Sequence, residues 1–183
     1  MGTAALDEVQ HRVLHFHFPF TGSVVSFSPG GLMTDKDFMR LALDWAAREP
    51  EEVPVGAVIT KGGILVSAAH NQRERDAGAL CHAEMLAIAR AQEELGTRRL
   101  EGCTMYVTLE PCPMCAGALI LAHIARVVFS AFDKQYGCCG SRYALPLDPA
   151  FHHRVACEGG LLAKESEALL GAFFSRRRGK GLM

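Results

Sequence analysis

Apolar positions along this chain switch between a period near 3.6 and a period of 2, and each switch marks an element. Thr34 is a good N-cap with Asp37 three residues later, and Phe38, Leu41, Ala42 and Trp45 follow at helical spacing. This predicts an amphipathic first helix from Thr34 to about Glu49, stopped at Pro50. Val53-Pro54-Val55-Gly56-Ala57-Val58-Ile59-Thr60 reads as a β-rich run, Lys61-Gly62-Gly63 as a tight turn and Ile64 to Ala69 as a returning strand, together a hairpin. Asn71 and the polar stretch Gln72 to Asp76 form a loop. A second helix is expected over about Cys81 to Leu95, where Met85, Ile88, Ala89 and Gln92 repeat at three and four. Cys103 to Leu109 is a third strand, ending at Glu110-Pro111. Pro113 suits the first turn of a third helix running through Ala116, Leu119, Ile120 and His123. Arg126 to Ser130 is a fourth strand and Val155 to Cys157 a weaker fifth. Leu161 to Ser175 reads as a final helix.

The order α-β-β-α-β-α-β-β-α implies an α/β domain in three layers, with helices on both faces of a mixed five-stranded sheet. A hairpin followed by βαβ units cannot be purely parallel. Neither an internal repeat nor an interdomain linker breaks the order, and 183 residues, 49% of them hydrophobic, suffice for one core. The domain is expected to span 33–183. Residues 1–32 do not share the pattern, because His15-Phe16-His17-Phe18 alternates only briefly before Pro19, Gly22, Pro29, Gly30 and Gly31. They are expected to form a disordered N-terminal extension, with Met33 a candidate initiator.

Composition narrows the function classes. A formal net charge of -1 leaves no global positive field to draw in nucleic acid, so any such partner must be held by a pocket or a local patch. Seven cysteines is an odd count that fits a disulfide framework poorly and a reducing compartment well, which makes the cytoplasm the default location. No apolar run reaches the ~18 residues a membrane span needs. Asp7, Glu8, His11, Arg12, His15 and His17 break up what would be the apolar core of a secretory signal.

The chemistry concentrates in His82-Ala83-Glu84 and Pro111-Cys112-Pro113-Met114-Cys115. One histidine and two cysteines suit Zn²⁺, and three protein ligands leave the fourth tetrahedral position free, which is a catalytic count. His82, Cys112 and Cys115 are the candidate ligands. Glu84 is the candidate for moving protons to and from a water that zinc activates. A lone C-x-x-C also occurs in redox motifs and in half of a structural zinc site. A redox reading leaves His82-Ala83-Glu84 without a task, and a structural site needs a fourth ligand, which Cys81, Cys103, Cys138, Cys139 or Cys157 could supply. The pairing of H-x-E at one predicted helix start with P-C-x-x-C at another is recognised as the signature of the zinc nucleobase deaminases. The remaining cysteines read as small buried hydrophobes or loop residues, and His70, His123, His152 and His153 as surface or capping residues.

Beyond the metal motif, the chain resembles the bacterial-type tRNA adenosine deaminases of the cytidine deaminase-like superfamily, from about Phe38 to Arg178. The segments that carry this are Val53-Pro54-Val55-Gly56-Ala57-Val58, Tyr106 to Ala118, Arg126-Val127-Val128-Phe129, Gly140-Ser141, His153-Arg154-Val155 and Phe173 to Arg178. The resemblance implies a cytidine deaminase-like fold, one Zn²⁺ per subunit and a homodimer. It also implies hydrolytic deamination of the wobble adenosine of a tRNA anticodon to inosine. Carried over by position, His82, Cys112 and Cys115 would bind zinc, Glu84 would shuttle protons and Asn71 would contact the target base. Val53 would wall the pocket, Asp133 would lie on the loop cradling neighbouring anticodon nucleotides, and Phe174 with Arg176, Arg177 and Arg178 would meet the anticodon stem-loop. Cys81, Met85, Phe132, Cys138, Cys139, Arg142 and Tyr143 depart from the family pattern. The rival readings are a deaminase of free guanine, cytosine or a nucleoside, and a non-catalytic zinc-binding partner subunit, against which the presence of Glu84 speaks.

Overall fold

The computed structural model describes residues 33–75 and 78–179. The expected extension 1–32, together with Asp76 and Lys180, lies outside them.

Helix α1 spans Asp35–Ala46. The Asp37 carboxylate accepts the Thr34 N–H at 3.0 Å and the Thr34 hydroxyl at 2.7 Å, so the predicted cap is in place. The helix ends before the expected Glu49. Pro50 bars the helical region to Glu49, and in a continued helix its ring would meet the Ala46 carbonyl. Strands β1 (Gly56–Lys61) and β2 (Ile64–His70) make the hairpin. Gly62 and Gly63, at φ 58° and 77°, supply the left-handed pair that a two-residue turn requires. β1 starts at Gly56, not Val53, because it is paired on both sides and Pro54 has no N–H to give a central ladder.

Helix α2 (Ala83–Leu95), strand β3 (Cys103–Leu109), helix α3 (Pro113–Leu121) and strand β4 (Arg126–Ala131) follow. A 3₁₀ turn at Leu145–Leu147, which the sequence pattern does not announce, precedes β5 (Ala156–Gly159) and α4 (Ala163–Gly179). α3 stops short of His123, which instead takes the left-handed φ of 56°. His123 N–H bonds to the Ile120 carbonyl and Ile124 N–H to the Leu119 carbonyl, the paired closure of a Schellman motif.

The expected mixed five-stranded sheet is present in the order β2-β1-β3-β4-β5. β1 is antiparallel to both neighbours, while β3, β4 and β5 are mutually parallel. β2, β3, β4 and β5 therefore run one way and β1 the other. The chain leaving β2, β3 and β4 and the chain entering β1 thus all emerge at a single edge of the sheet.

Strand alternation sorts the core into two faces. Ala57, Ile59, Met105, Val107, Val127 and Phe129 pack with Ala87 and Ile88 of α2 and Leu119 and Ile120 of α3. Val58, Tyr106 and Val128 pack with Phe38, Met39 and Ala42 of α1, joined by Leu161 and Leu162 at the start of α4. Helix α1 lies directly on the backbone at Gly56, where a Cβ would collide with the Ala42 carbonyl and the Ala46 nitrogen. A polar cluster ties this layer to the sheet. The Arg126 guanidinium bonds to both Asp35 oxygens at 3.1 and 2.7 Å, and the Tyr106 hydroxyl donates to Asp35 at 2.7 Å. Arg126 also bonds to both oxygens of Glu158. The Arg126 hydrogen bonds hold Asp35 and Glu158 below the usual carboxylate range. Burial and the bond to Asp35 push the Tyr106 phenol up to about 12.

Candidate active site

His82 is the N-cap of α2 and Cys112 the N-cap of α3. Both have extended backbones, at φ -70°, ψ 149° and φ -72°, ψ 174°, so each side chain leaves the chain just before its helix begins. Pro113 fixes the first turn of α3, and Cys115 follows within that turn. Because α2 and α3 lie on one face of the sheet, two helix N-termini, each carrying the positive end of a helix dipole, converge on one point.

At that point the donors have the spacing of a metal site. His82 Nδ1 is 3.7 Å from Cys112 Sγ and 3.6 Å from Cys115 Sγ, and the three ligand atoms all lie within 4.8 Å of one another. Tetrahedral Zn²⁺, with Zn–N of roughly 2.0–2.1 Å and Zn–S of about 2.3 Å, sets N and S about 3.6 Å apart. The protonation pattern fits as well. A hydrogen bond from Cys115 brings the Cys112 thiol down to about 4, and the contact with Cys112 together with burial drives Cys115 far above the usual thiol range. The bond to Cys112 raises His82. A divalent cation in this closed corner would satisfy both sulfurs as thiolates.

Glu84 sits in the first turn of α2 and is 4% exposed. In mid-helix, residues two apart diverge. Here His82 stands outside the helix, so both side chains reach the same corner. Desolvation lifts the Glu84 carboxyl above the usual range.

Asn71 follows β2 at the same edge, is buried, and donates its Nδ2 to Glu52 Oε2 at 2.9 Å. Val53 precedes β1 and packs half-buried against the α2–α3 core. Asp133 lies on the loop after β4, but its Oδ1 accepts the N–H groups of Gln135 and Tyr136, so this carboxylate shapes the loop itself. At the far end of α4, Phe173 is 3% exposed and belongs to the core, while Phe174 beside it is on the surface. Of this adjacent pair, only the Phe174 ring is exposed. The Arg176 guanidinium donates to the Pro50 carbonyl, which brings the last turns of α4 beside the chain entering β1. Arg177 lies over the Phe173 ring and Arg178 bonds to Ser175.

Two buried glutamates at this edge escape the sequence reading. Glu52 Oε1 accepts the N–H groups of Glu74 and Arg75 at 2.8 Å each, which pins the loop after β2. Glu110 accepts the N–H groups of Asp133, Cys139 and Ser141 at 2.9 to 3.0 Å, which pins the loop after β4. No local signal marks either residue, since their partners lie 19 to 31 positions later in the chain. The second loop and Pro113 form a groove of about 320 Å³ lined by Gln135, Tyr136, Arg142 and Tyr143, next to Cys112.

Residues 32–131 match the family model of the cytidine and deoxycytidylate deaminase zinc-binding region. The chain is 46% identical over 148 residues to the tRNA-specific adenosine deaminase of Bacillus subtilis (strain 168), covering 80% of this chain and 92% of that protein. It is 48% identical over 143 residues to the tRNA-specific adenosine deaminase of Aquifex aeolicus (strain VF5), covering 77% and 94%. A solved structure from a study of A-to-I editing by tRNA:A34 deaminases at the wobble position superposes with a TM-score of 0.70 at 39% identity, covering 73% of this chain and 98% of that one. The guanine deaminase of Nitrosomonas europaea, at 23% identity and a TM-score of 0.69, shares the fold alone. By these matches the chain belongs to the tRNA-specific adenosine deaminase family, among the proteins built on the cytidine and deoxycytidylate deaminase zinc-binding region.

Proposed function

We propose that this protein hydrolytically deaminates the wobble adenosine of a tRNA anticodon, adenosine and water giving inosine and ammonia. The observation that carries the reading is a buried carboxylate beside three metal donors at two helix starts, in a chain that spans 92% of a tRNA-specific adenosine deaminase. His82, Cys112 and Cys115 hold the metal. When bound, Zn²⁺ supplies the Lewis acidity that makes water nucleophilic near neutral pH. Glu84 accepts one proton from the attacking water and passes it to the purine ring nitrogen, then takes the second proton from the added hydroxyl and passes it to the departing amine, which leaves as ammonia. Its burial suits this exchange, because desolvation raises the carboxylate's affinity for the proton it has to take up.

Asn71 contacts the flipped-out base and Val53 walls its pocket. An anticodon nucleotide is unpaired and costs little to unstack. The groove lined by Tyr136, Arg142 and Tyr143, on the loop that carries Asp133, takes flanking nucleotides by stacking and a cationic contact. Phe174, Arg176, Arg177 and Arg178 extend that surface toward the stem. Residues 33–183 act as the deaminase domain and 1–32 as a dispensable extension. The assembly is a homodimer working in the cytoplasm; none of the described helices is long and apolar enough to cross a membrane.

The test is incubation of the purified, zinc-loaded protein with an anticodon stem-loop bearing A34 and, separately, with free guanine and cytosine. Inosine in the stem-loop alone is the expected result. Turnover of a free base with the stem-loop untouched overturns the reading.

A further inference from the structure

We propose that Glu52 is a positioning residue for the reaction, because it fixes which way round the Asn71 carboxamide is presented to the substrate. This rests on the reading that Asn71 touches the base.

A carboxamide has two orientations of almost equal shape, and only its hydrogen-bond partners choose between them. Both Glu52 oxygens act as acceptors, Oε1 for two backbone N–H groups and Oε2 for the side chain of Asn71, so the –NH₂ end of Asn71 faces Glu52. The 2.9 Å contact from Asn71 Nδ2 to Glu52 Oε2 therefore locks the amide. With Nδ2 engaged by Glu52, the groups that Asn71 keeps for a substrate are Oδ1 and the second N–H.

Glu52 is itself held firmly enough to act as a reference. It is 2% exposed, and its other oxygen accepts the Glu74 and Arg75 N–H groups. Asn71 cannot drift as a whole, since its N–H bonds to the Val55 carbonyl and the next N–H, of Gln72, bonds to the carbonyl of Cys81, the residue before His82. The base contact, the loop and the approach to the metal donors thus share one buried carboxylate.

The geometry makes Glu52→Gln the decisive change. Glutamine has the same shape but only one oxygen. The two backbone N–H groups of Glu74 and Arg75 require that oxygen, which turns the glutamine –NH₂ toward Asn71. The Asn71 amide must then rotate by half a turn, exchanging its acceptor and its donor in the site. Fold and metal are left in place, while the substrate meets the wrong pattern.

A double-mutant cycle on the zinc-loaded protein tests this, with wild type, E52Q, N71A and E52Q/N71A assayed for kcat and KM on the stem-loop, alongside zinc content and melting temperature. We expect E52Q to keep full zinc and to lose roughly tenfold or more in kcat/KM, as a mispaired polar contact in a transition state does. N71A should lose a similar factor, and the double variant should be no worse than N71A alone. If E52Q costs the same factor with and without Asn71, Glu52 acts only through the fold, and the proposal is overturned while the role of Asn71 stands. E52Q with wild-type kcat/KM has the same consequence. N71A with wild-type kcat/KM overturns both the role of Asn71 and the proposal. A wild type that leaves the stem-loop unedited removes the proposed function itself.

Discussion

Glu110→Ala should disorder the loop after β4 without disturbing the metal donors. The carboxylate is 2% exposed and accepts three backbone N–H bonds, from Asp133 at 3.0 Å, Cys139 at 3.0 Å and Ser141 at 2.9 Å. Alanine leaves all three donors without a partner. Cys139 is 5% exposed, so its N–H has no easy access to water, and losing a charged acceptor there costs about 2–3 kcal/mol. The N–H groups of Asp133 and Ser141 are less enclosed and water replaces part of their bonds, so each adds about 0.5–1 kcal/mol. The sum is about 3–5 kcal/mol. For a domain of this size each kcal/mol moves the melting temperature by about 2–4 °C, which places the expected drop at roughly 6–20 °C.

The assay is thermal unfolding of the zinc-loaded protein, with amide exchange read at Cys139 and Ser141. Both amides should exchange faster in Glu110→Ala. On a stem-loop, KM should rise more than kcat falls, because the loop lines the groove of Tyr136, Arg142 and Tyr143 and supplies none of the three metal donors. Glu101→Ala is the control: its side chain is 64% exposed, and its loss should cost under about 0.5 kcal/mol. A Glu110→Ala protein that melts like the control, or whose Cys139 amide stays as protected as in wild type, would refute the reasoning.

Glu84→Ala should keep its zinc and its melting temperature within a few degrees yet lose deamination, and metal loss from this variant in a chelator competition would show that Glu84 is a ligand. Gly56→Ala should destabilise by about 2–3 kcal/mol in denaturant titration, because the new methyl meets backbone atoms of α1 that cannot give way; a cost near zero would mean that α1 does not lie where it is described. Tyr106 sets an alkaline limit. A phenol that ionises at 10.0 unfolded and at about 12 folded contributes fully below pH 10, and its contribution is lost as pH rises from 10 to about 12, by at most about 3 kcal/mol. Stability measured across that window should fall more steeply in wild type than in Tyr106→Phe, and parallel curves would contradict the assignment.

The element order and the metal donors are legible in the sequence because they depend on local rules. His, Cys and Pro at helix starts carry their chemistry with them, and the 3.6 and 2 periods do not depend on what packs opposite. Element ends are less legible. α3 stops where His123 takes a left-handed conformation that glycine would have advertised, and glycine at Gly96 does mark the end of α2. Phe173 and Phe174 look like one aromatic surface in a string of letters, but helical phase sends the first into the core and the second outward. Residues 1–32 lie outside the described structure, so their reading rests on sequence alone.

What the sequence conceals most completely is the work of its buried acids. The loops leaving β2 and β4 surround the site, and their N–H groups have no strand to pair with. A carboxylate, with two oxygens and about four lone-pair positions, is the side chain best able to collect several such donors from different directions. Three carboxylates are buried among the described residues: Glu52, Glu84 and Glu110. Glu52 and Glu110 each have both oxygens engaged by loop or side-chain N–H groups, which leaves neither free to compete for a metal or to exchange a proton. Glu84 stands beside the metal donors His82, Cys112 and Cys115, and burial lifts its carboxyl. The hydrogen bonding of the other two is thus what leaves Glu84 as the proposed proton carrier. The same division of labour predicts that no substitution at Glu52 or Glu110 will abolish turnover as completely as one at Glu84.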